Sequence, residues 1–232
     1  MIVIGLLMIV AAGLLTGWNL WQQTGAGIKA GDTLALLIPA IEENSGAANA
    51  KSTVEERSGL DTEAEAQPAQ TDEDFADTET VPDYVINPNM DMPSVKVNDE
   101  KYIGVLTIPD LDLELPVMKE WSYPNLKKAP CRYTGTAYKD NLIICAHNYN
   151  THFGRLKNLK QGARINLVDT DGNVFSYQVT ETEILKPNDI WEMKNGEWDL
   201  TLFTCTIGGA TRVTVRCQRL DEEEYAMNLQ LG

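Results

Sequence analysis

Residues 1–28 carry no charged side chain, and apolar residues dominate the first seventeen. About 20 apolar residues in helical conformation span a bilayer, so this run predicts a transmembrane helix with Trp18 and Trp21 at interfacial depth. A cleavable signal peptide is the competing reading. The missing basic n-region and the lack of an Ala-x-Ala site favour an uncleaved anchor over 1–28. Leu34, Leu36, Leu37, Ile38 and Ile41 then predict a short amphipathic helix within 29–43, interrupted at Pro39. From residue 44 the pattern loses its large apolar positions: only Val54, Leu60, Phe75 and Val81 occur up to Pro82. Too little surface is available there to offset chain entropy, which predicts a disordered spacer over 44–94. A solubilising tract with no length requirement fits the same composition.

Between 95 and 220 the pattern changes to short apolar and alternating runs bounded by Gly, Pro, Asn and Asp. These predict strands at Tyr102–Ile108, Leu113–Met118, Asn141–Ala146, Arg164–Asp169, Val174–Leu185, Leu200–Cys205 and Arg212–Arg219. Asp171-Gly172-Asn173 joins two of them as a hairpin turn. Only Phe153–Leu159 and Pro187–Lys194 read as helical. Seven or eight short strands without βαβ alternation predict a mainly β fold, a closed barrel with one or two short helices. At about 125 residues the domain is large enough for its own core.

Charge sharpens this division. Of the net charge of −15, residues 42–83 contribute −11 and the acidic run Asp221–Glu224 contributes −4. Residues 84–220 balance 16 basic against 16 acidic side chains, so the domain has no electrostatic footprint for nucleic acid. The acidity belongs to the spacer and to a tail over 221–232. The four cysteines, Cys131, Cys145, Cys205 and Cys217, form no Cys-x-x-Cys pair. The two histidines, His147 and His152, do not complete a zinc pattern with them, and no acidic cluster marks a calcium site. No metal and no cofactor is expected. Cys145 and Cys217 sit within apolar strand patterns as small core residues, two extracellular disulfides being the formal alternative. Cys131, in Ala-Pro-Cys-Arg, reads as a loop residue with no assigned role.

Three side chains stand apart. Cys205 ends the strand Thr201-Leu-Phe-Thr-Cys205, His147 follows the strand Asn141–Ala146, and Arg212 begins the strand after the Gly208-Gly209 turn. Far apart in sequence, they converge only if the strands fold into one sheet. Arg212 and Arg216 share a strand face, and Arg212 is preferred because it lies nearer the turn and Cys205. Arg219 falls on the opposite face and reads as solvated; His152 reads as a loop histidine without a reacting role.

The set Thr201-Leu-Phe-Thr-Cys205, Ala146-His147-Asn148 and Arg212 resembles the sortase family, the membrane-anchored cysteine transpeptidases of Gram-positive bacteria. Leu106-Thr-Ile-Pro109 with Leu115-Pro116, and Phe153 through Leu159 to Gly162, extend the likeness over residues 100–220. Many family members have Gly where Ala146 stands. The resemblance implies a sortase-type barrel, with Cys205 as nucleophile on an LPxTG-like sorting signal and His147 as general acid and then base. Arg212 would hold the substrate carbonyl and the developing oxyanion. A thiolate–imidazolium pair and a neutral pair both remain open. Thr204 is expected to line the pocket. Ile190, Trp191, Met193 and Trp198, between two strands, either supply an apolar groove wall or cap the barrel end. The implied partners are secreted proteins bearing a C-terminal sorting signal, an amine acceptor from a peptidoglycan precursor or a pilin lysine, and the lipid bilayer. The implied location is the cell membrane, single-pass, with the catalytic domain outside. A hydrolase-biased cysteine protease and a non-catalytic β-barrel binding module are the alternatives; the presence of all three of Cys205, His147 and Arg212 argues against the last.

Overall fold

The alternating segments form one sheet that closes on itself. The structure, a computed structural model, describes residues 2–58 and 81–221. Nine strands, β1 (Val95–Val97), β2 (Glu100–Ile108), β3 (Leu113–Met118), β4 (Cys131–Thr134), β5 (Leu142–Ala146), β6 (Arg164–Asp169), β7 (Val174–Leu185), β8 (Leu200–Cys205) and β9 (Arg212–Arg219), run in the order β1-β2-β3-β4-β5-β8-β9-β7-β6. An added β2–β6 pairing, from Gly104↔Asp169 to Thr107↔Asn166, shuts β2 to β9 into an eight-stranded barrel and leaves β1 as a flap on β2. Most pairs are antiparallel. The exceptions are β3–β4, which touch at one position, and β5–β8, which run parallel over five residue pairs.

Two layers of apolar contact hold the barrel. Ile103, Leu106 and Ile108 of β2 point inward with Ile144, Leu167, Phe175, Tyr177, Leu202 and Val215. Tyr102 and Val105 point outward, into a second cluster with Met118, Cys131 and Cys145 that is covered by Leu37 and Ile41. Strand β2 therefore reads as a continuous apolar run because both of its faces are covered. The cover is helix α1 (Ile2–Ser58). Its Ala26, Ala30, Thr33, Leu37 and Ile41 recur every three or four residues and are all buried, whereas the apolar residues from Val3 to Trp21 are exposed. The helix is long and apolar enough to cross a membrane, and its first half contributes nothing to the core.

Several expectations need correction. Pro39 does not interrupt α1: it lies on the exposed side, where the carbonyl it leaves unpaired is not buried, and the helix passes without a break from the expected anchor into the amphipathic segment. The spacer is shorter than 44–94. Residues 44–58 continue α1, and residues 81–94 pack on the barrel, with Met92 in its core. Tyr84, in the single-turn helix α2 (Asp83–Ile86), stacks on Tyr138 at 4.7 Å and tilts against Phe175 at 5.3 Å. Residues 59–80 of the spacer and 222–232 of the tail lie outside the described residues. Arg219 is not simply solvated: its guanidinium lies 4.9 Å from the Phe175 ring and pairs with Asp140 at 3.1 Å. Cys131 is a buried strand residue rather than a loop residue, because β4 is only four residues long and is squeezed between Pro130 and Gly135. His152 is a loop residue as expected, but it is wholly buried.

The closure seam has no room for a side chain at one point. A Cβ on Gly104 would sit 2.1 Å from the Val168 carbonyl oxygen of β6. Gly104→Ala is expected to cost about 3 kcal/mol or more, measured by urea unfolding of the full chain in detergent. His152 provides a second test. Burial, reinforced by nearby His147, pulls its pKa down to about 4. The folded state thus keeps the ring neutral, whereas the unfolded chain protonates near the ordinary value of about 6.5. This contribution is fully present above that value and is lost as pH falls toward 4. Between pH 7.5 and 4.5 the wild type should lose about 2 kcal/mol more than His152→Phe; an equal loss in both would contradict the assignment.

Candidate active site

Strand β8 sits between two partners that bring chemistry to its end. It runs parallel to β5 with Ala146 opposite Thr204, and antiparallel to β9 with Cys205 opposite Arg212. One residue past Ala146, His147 comes level with Cys205. Adjacent strands are about 4.8 Å apart, and residues directly opposite share a sheet face, so the register sets Cys205 between the positions of His147 and Arg212. Thr204 reinforces the row from beneath: its hydroxyl donates to the Ala146 carbonyl at 2.9 Å, fastening β8 to β5 one residue below the thiol.

The turn after Cys205 is closed by paired hydroxyls. Thr206 N–H donates to the Thr211 carbonyl at 3.0 Å, and Thr206 Oγ1 accepts from Thr211 N–H at 3.1 Å. Gly208 and Gly209 take φ values of 82° and 76°, the left-handed region that glycine enters without strain. Arg212 Nη1 donates back to the carbonyls of Gly209 and Thr211, at 3.0 and 3.1 Å, which folds the guanidinium over this turn.

Of the four cysteines, Cys205 is exposed and the other three are buried. Burial pushes the Cys131 thiol up to about 12 and drives Cys145 and Cys217 higher still, so these remain protonated and inert. His147 is half-buried. Burial draws its pKa below the ordinary histidine value, helped by the charge of Lys127 and opposed by the Asn148 side chain.

A cavity of about 200 Å³ opens on Cys205 and Arg212; His147 does not line it. Cys205 and Arg212 form one side with Ala146; Trp121, Tyr133 and Tyr123, which opens the single-turn helix α3 (Tyr123–Leu126), form the facing side; Ile190 and Met193 of helix α4 (Ile190–Lys194) form another. Thr204, expected to line this pocket, is buried beneath it. Trp191 is exposed, and neither it nor Trp198 lines the cavity; Trp198 instead packs over Gly196. The three facing aromatics carried no signal in the sequence. Trp121 and Tyr123 flank a loop with no strand periodicity, and Tyr133 belongs to the unpredicted β4. Trp121 meets Tyr133 at 5.7 Å, and Tyr133 meets Phe203 edge-on at 5.3 Å, so the wall continues the packing of β8.

Arg216 has a different task from Arg212. It is 2% exposed, pairs with Glu183 at 2.7 Å, and donates to Thr201 Oγ1 and to the carbonyls of Glu192 and Met193. All three of its nitrogens are engaged, two of them on α4 carbonyls, which clamps that helix, and with it the cavity wall, to the sheet. Among the described residues no cluster of three His, Cys, Asp or Glu side chains could hold a metal ion.

Residues 106–220 match the family model described as the sortase domain. Sortase A of Bacillus anthracis is 30% identical over 122 residues, covering 50% of this chain and 57% of that protein. Sortase D of Bacillus subtilis (strain 168) is 28% identical over 106 residues, covering 44% of this chain and 53% of that protein. The chain thus spans about half the length of the curated relatives it matches. Among solved structures, sortase C of Streptococcus pneumoniae has a TM-score of 0.47 at 28% identity, over 54% of this chain and 71% of that one. Residues 106–220, which build most of the closed eight-stranded barrel, are thus a sortase domain.

Proposed function

We propose that the protein is a membrane-anchored cysteine transpeptidase that cleaves an LPxTG-like sorting signal and passes the acyl part to an amine. The observation that carries this reading is the strand register that sets Cys205 opposite Arg212 and level with the position just past Ala146, held by His147, with Cys205 and Arg212 lining an apolar cavity.

The chemistry divides into two half-reactions. In the first, Cys205 Sγ attacks the signal's backbone carbonyl carbon after Thr, and a C–S bond forms. The carbonyl electron pair moves onto oxygen, where the Arg212 guanidinium offsets the charge. The oxyanion then collapses, the C–N bond breaks, and the leaving amine takes the proton that the imidazole received from the thiol. A thioacyl enzyme remains. In the second half-reaction His147 removes a proton from the incoming amine as it attacks, and the thiolate departs and is reprotonated. One difficult amide exchange thereby becomes two easier steps. Burial favours the uncharged imidazole, the form able to take a proton as attack proceeds.

The cavity suits an extended segment with apolar side chains, with Ile190 and Met193 on one flank and the aromatic trio on the other. Its partners are secreted proteins bearing the signal and an amine from a peptidoglycan precursor or a pilin lysine. The apolar half of α1 anchors the enzyme, with the N-terminus in the cytoplasm and the barrel on the outer face.

The full chain in detergent, incubated with a set of LPxTG-like peptides and a glycine-based amine, should yield a new amide detectable by mass spectrometry. Cys205→Ala should yield none, and His147→Ala and Arg212→Ala should each lose roughly a hundredfold in rate. Cleavage whose products are the same with and without the amine would point instead to a hydrolase. Full turnover in Arg212→Ala would remove the arginine from the mechanism.

A further inference from the structure

A histidine that serves as general base is ordinarily oriented by a hydrogen bond at its second ring nitrogen. His147 Nδ1 is buried without a hydrogen-bond partner, and the neighbouring Asn148 side chain is the polar group that favours its charged form. The ring is held by its face instead. Tyr149 lies against it with centroids 3.8 Å apart and planes 18° from parallel, and the His152 ring sits 5.7 Å from Tyr149 at 50°. Tyr149 is itself buried, and its hydroxyl donates to Gln22 Oε1 on α1 at 3.0 Å. The same loop meets the helix twice more. Asn150 N–H donates to Gln23 Oε1 at 3.3 Å, and Thr151 Oγ1 donates to the Gln23 carbonyl at 3.1 Å. The loop is also folded back on itself, since Phe153 N–H donates to the His147 carbonyl and Gly154 N–H to the Tyr149 carbonyl. Gly154 has no room for a side chain, because a Cβ there would lie 2.6 Å from the Asn148 carbonyl oxygen.

We infer that Tyr149 is a positioning residue for His147, and that the N-terminal helix supports it through Gln22. A residue just past a strand end has two side-chain torsions to fix; a parallel ring at contact distance restrains both, and the phenol–glutamine bond restrains the ring in turn. The charged and titratable groups around the imidazole are Lys127, His152, Tyr149 itself and, at the facing register position on β8, Cys205. None of them accepts a hydrogen bond from Nδ1, so the stack carries the orientation. The helix that anchors the protein is by this route also part of the support of its active site.

The inference rests on the reading of His147 as the acid–base group, and its test separates the two. The full chain, with ¹³C-labelled histidine and in detergent, contains two histidines, so its imidazole spectrum holds two sets of ring resonances. The His147 ring protons should be displaced upfield by the Tyr149 ring current; His152→Phe assigns them. Tyr149→Leu should abolish that displacement and lower kcat for peptide transfer roughly tenfold, with KM changed less than about twofold. Tyr149→Phe should keep the displacement and lose about threefold, as should Gln22→Ala, and the double variant should lose no more than either single one. An unchanged resonance in Tyr149→Leu, or Tyr149→Phe as impaired as Tyr149→Leu, would overturn the inference. So would additive losses in the Phe–Ala pair, and that arm decides even where Tyr149→Leu fails to fold. No turnover by the wild type, with the resonances responding as described, would refute the transpeptidase reading and leave the positioning role standing.

Discussion

The backbone pairing of β8 with its two neighbours sets the level at which the proposed reacting groups stand. A parallel partner delivers its last residue at the same end as β8 delivers its own, so Ala146 beside Thr204 brings His147 abreast of Cys205. An antiparallel partner on the other side starts where β8 stops, which sets Arg212 opposite the thiol. A slip of one residue on either side would turn a side chain to the other face of the sheet. Barrel closure protects against that slip. With β2 bonded to β6, a shift of β8 would have to propagate around the whole ring.

Around this row the fold separates groups that react from groups that hold. Arg212 and Arg216 lie one helical-looking interval apart on the same strand face, yet one lines the cavity and the other is buried with every nitrogen engaged. Burial does the same for the thiols: three are raised and sealed in apolar layers, and Cys205 stands exposed at the cavity mouth. Helix α1 joins the two kinds of role. It is mostly apolar and exposed through Trp21, then packs on the barrel from Ala26 to Ile41, and its Gln22 and Gln23 touch the loop that follows His147.

Where the sequence was legible, a local pattern was set by a single physical cause. Seven of the nine strands follow from period-two alternation or continuous apolar runs, and the Cys–His–Arg row follows from strand ends flanked by turn residues. What escaped was decided by distant neighbours. Strand β4 is short and pairs mostly with β5, so Cys131 and Tyr133 carry no periodicity of their own. Trp191 and Trp198 resemble groove residues by composition, but α4 turns Ile190 and Met193 inward instead. Pro39 suggested a break that its exposed position on α1 makes unnecessary. The stack of Tyr149 on His147 combines a turn two residues long with a helix 127 positions away, a relation that no local pattern records.

The central claim is that Cys205 is the nucleophile and passes through a covalent acyl state. Intact mass spectrometry of the full chain with a sorting-signal peptide, and no amine added, tests it most directly. The account predicts a mass gain equal to the acyl portion of the peptide, mapped to Cys205 and discharged when an amine is supplied. An adduct on Cys131, Cys145 or Cys217, or cleavage of the peptide by Cys205→Ala, would contradict it.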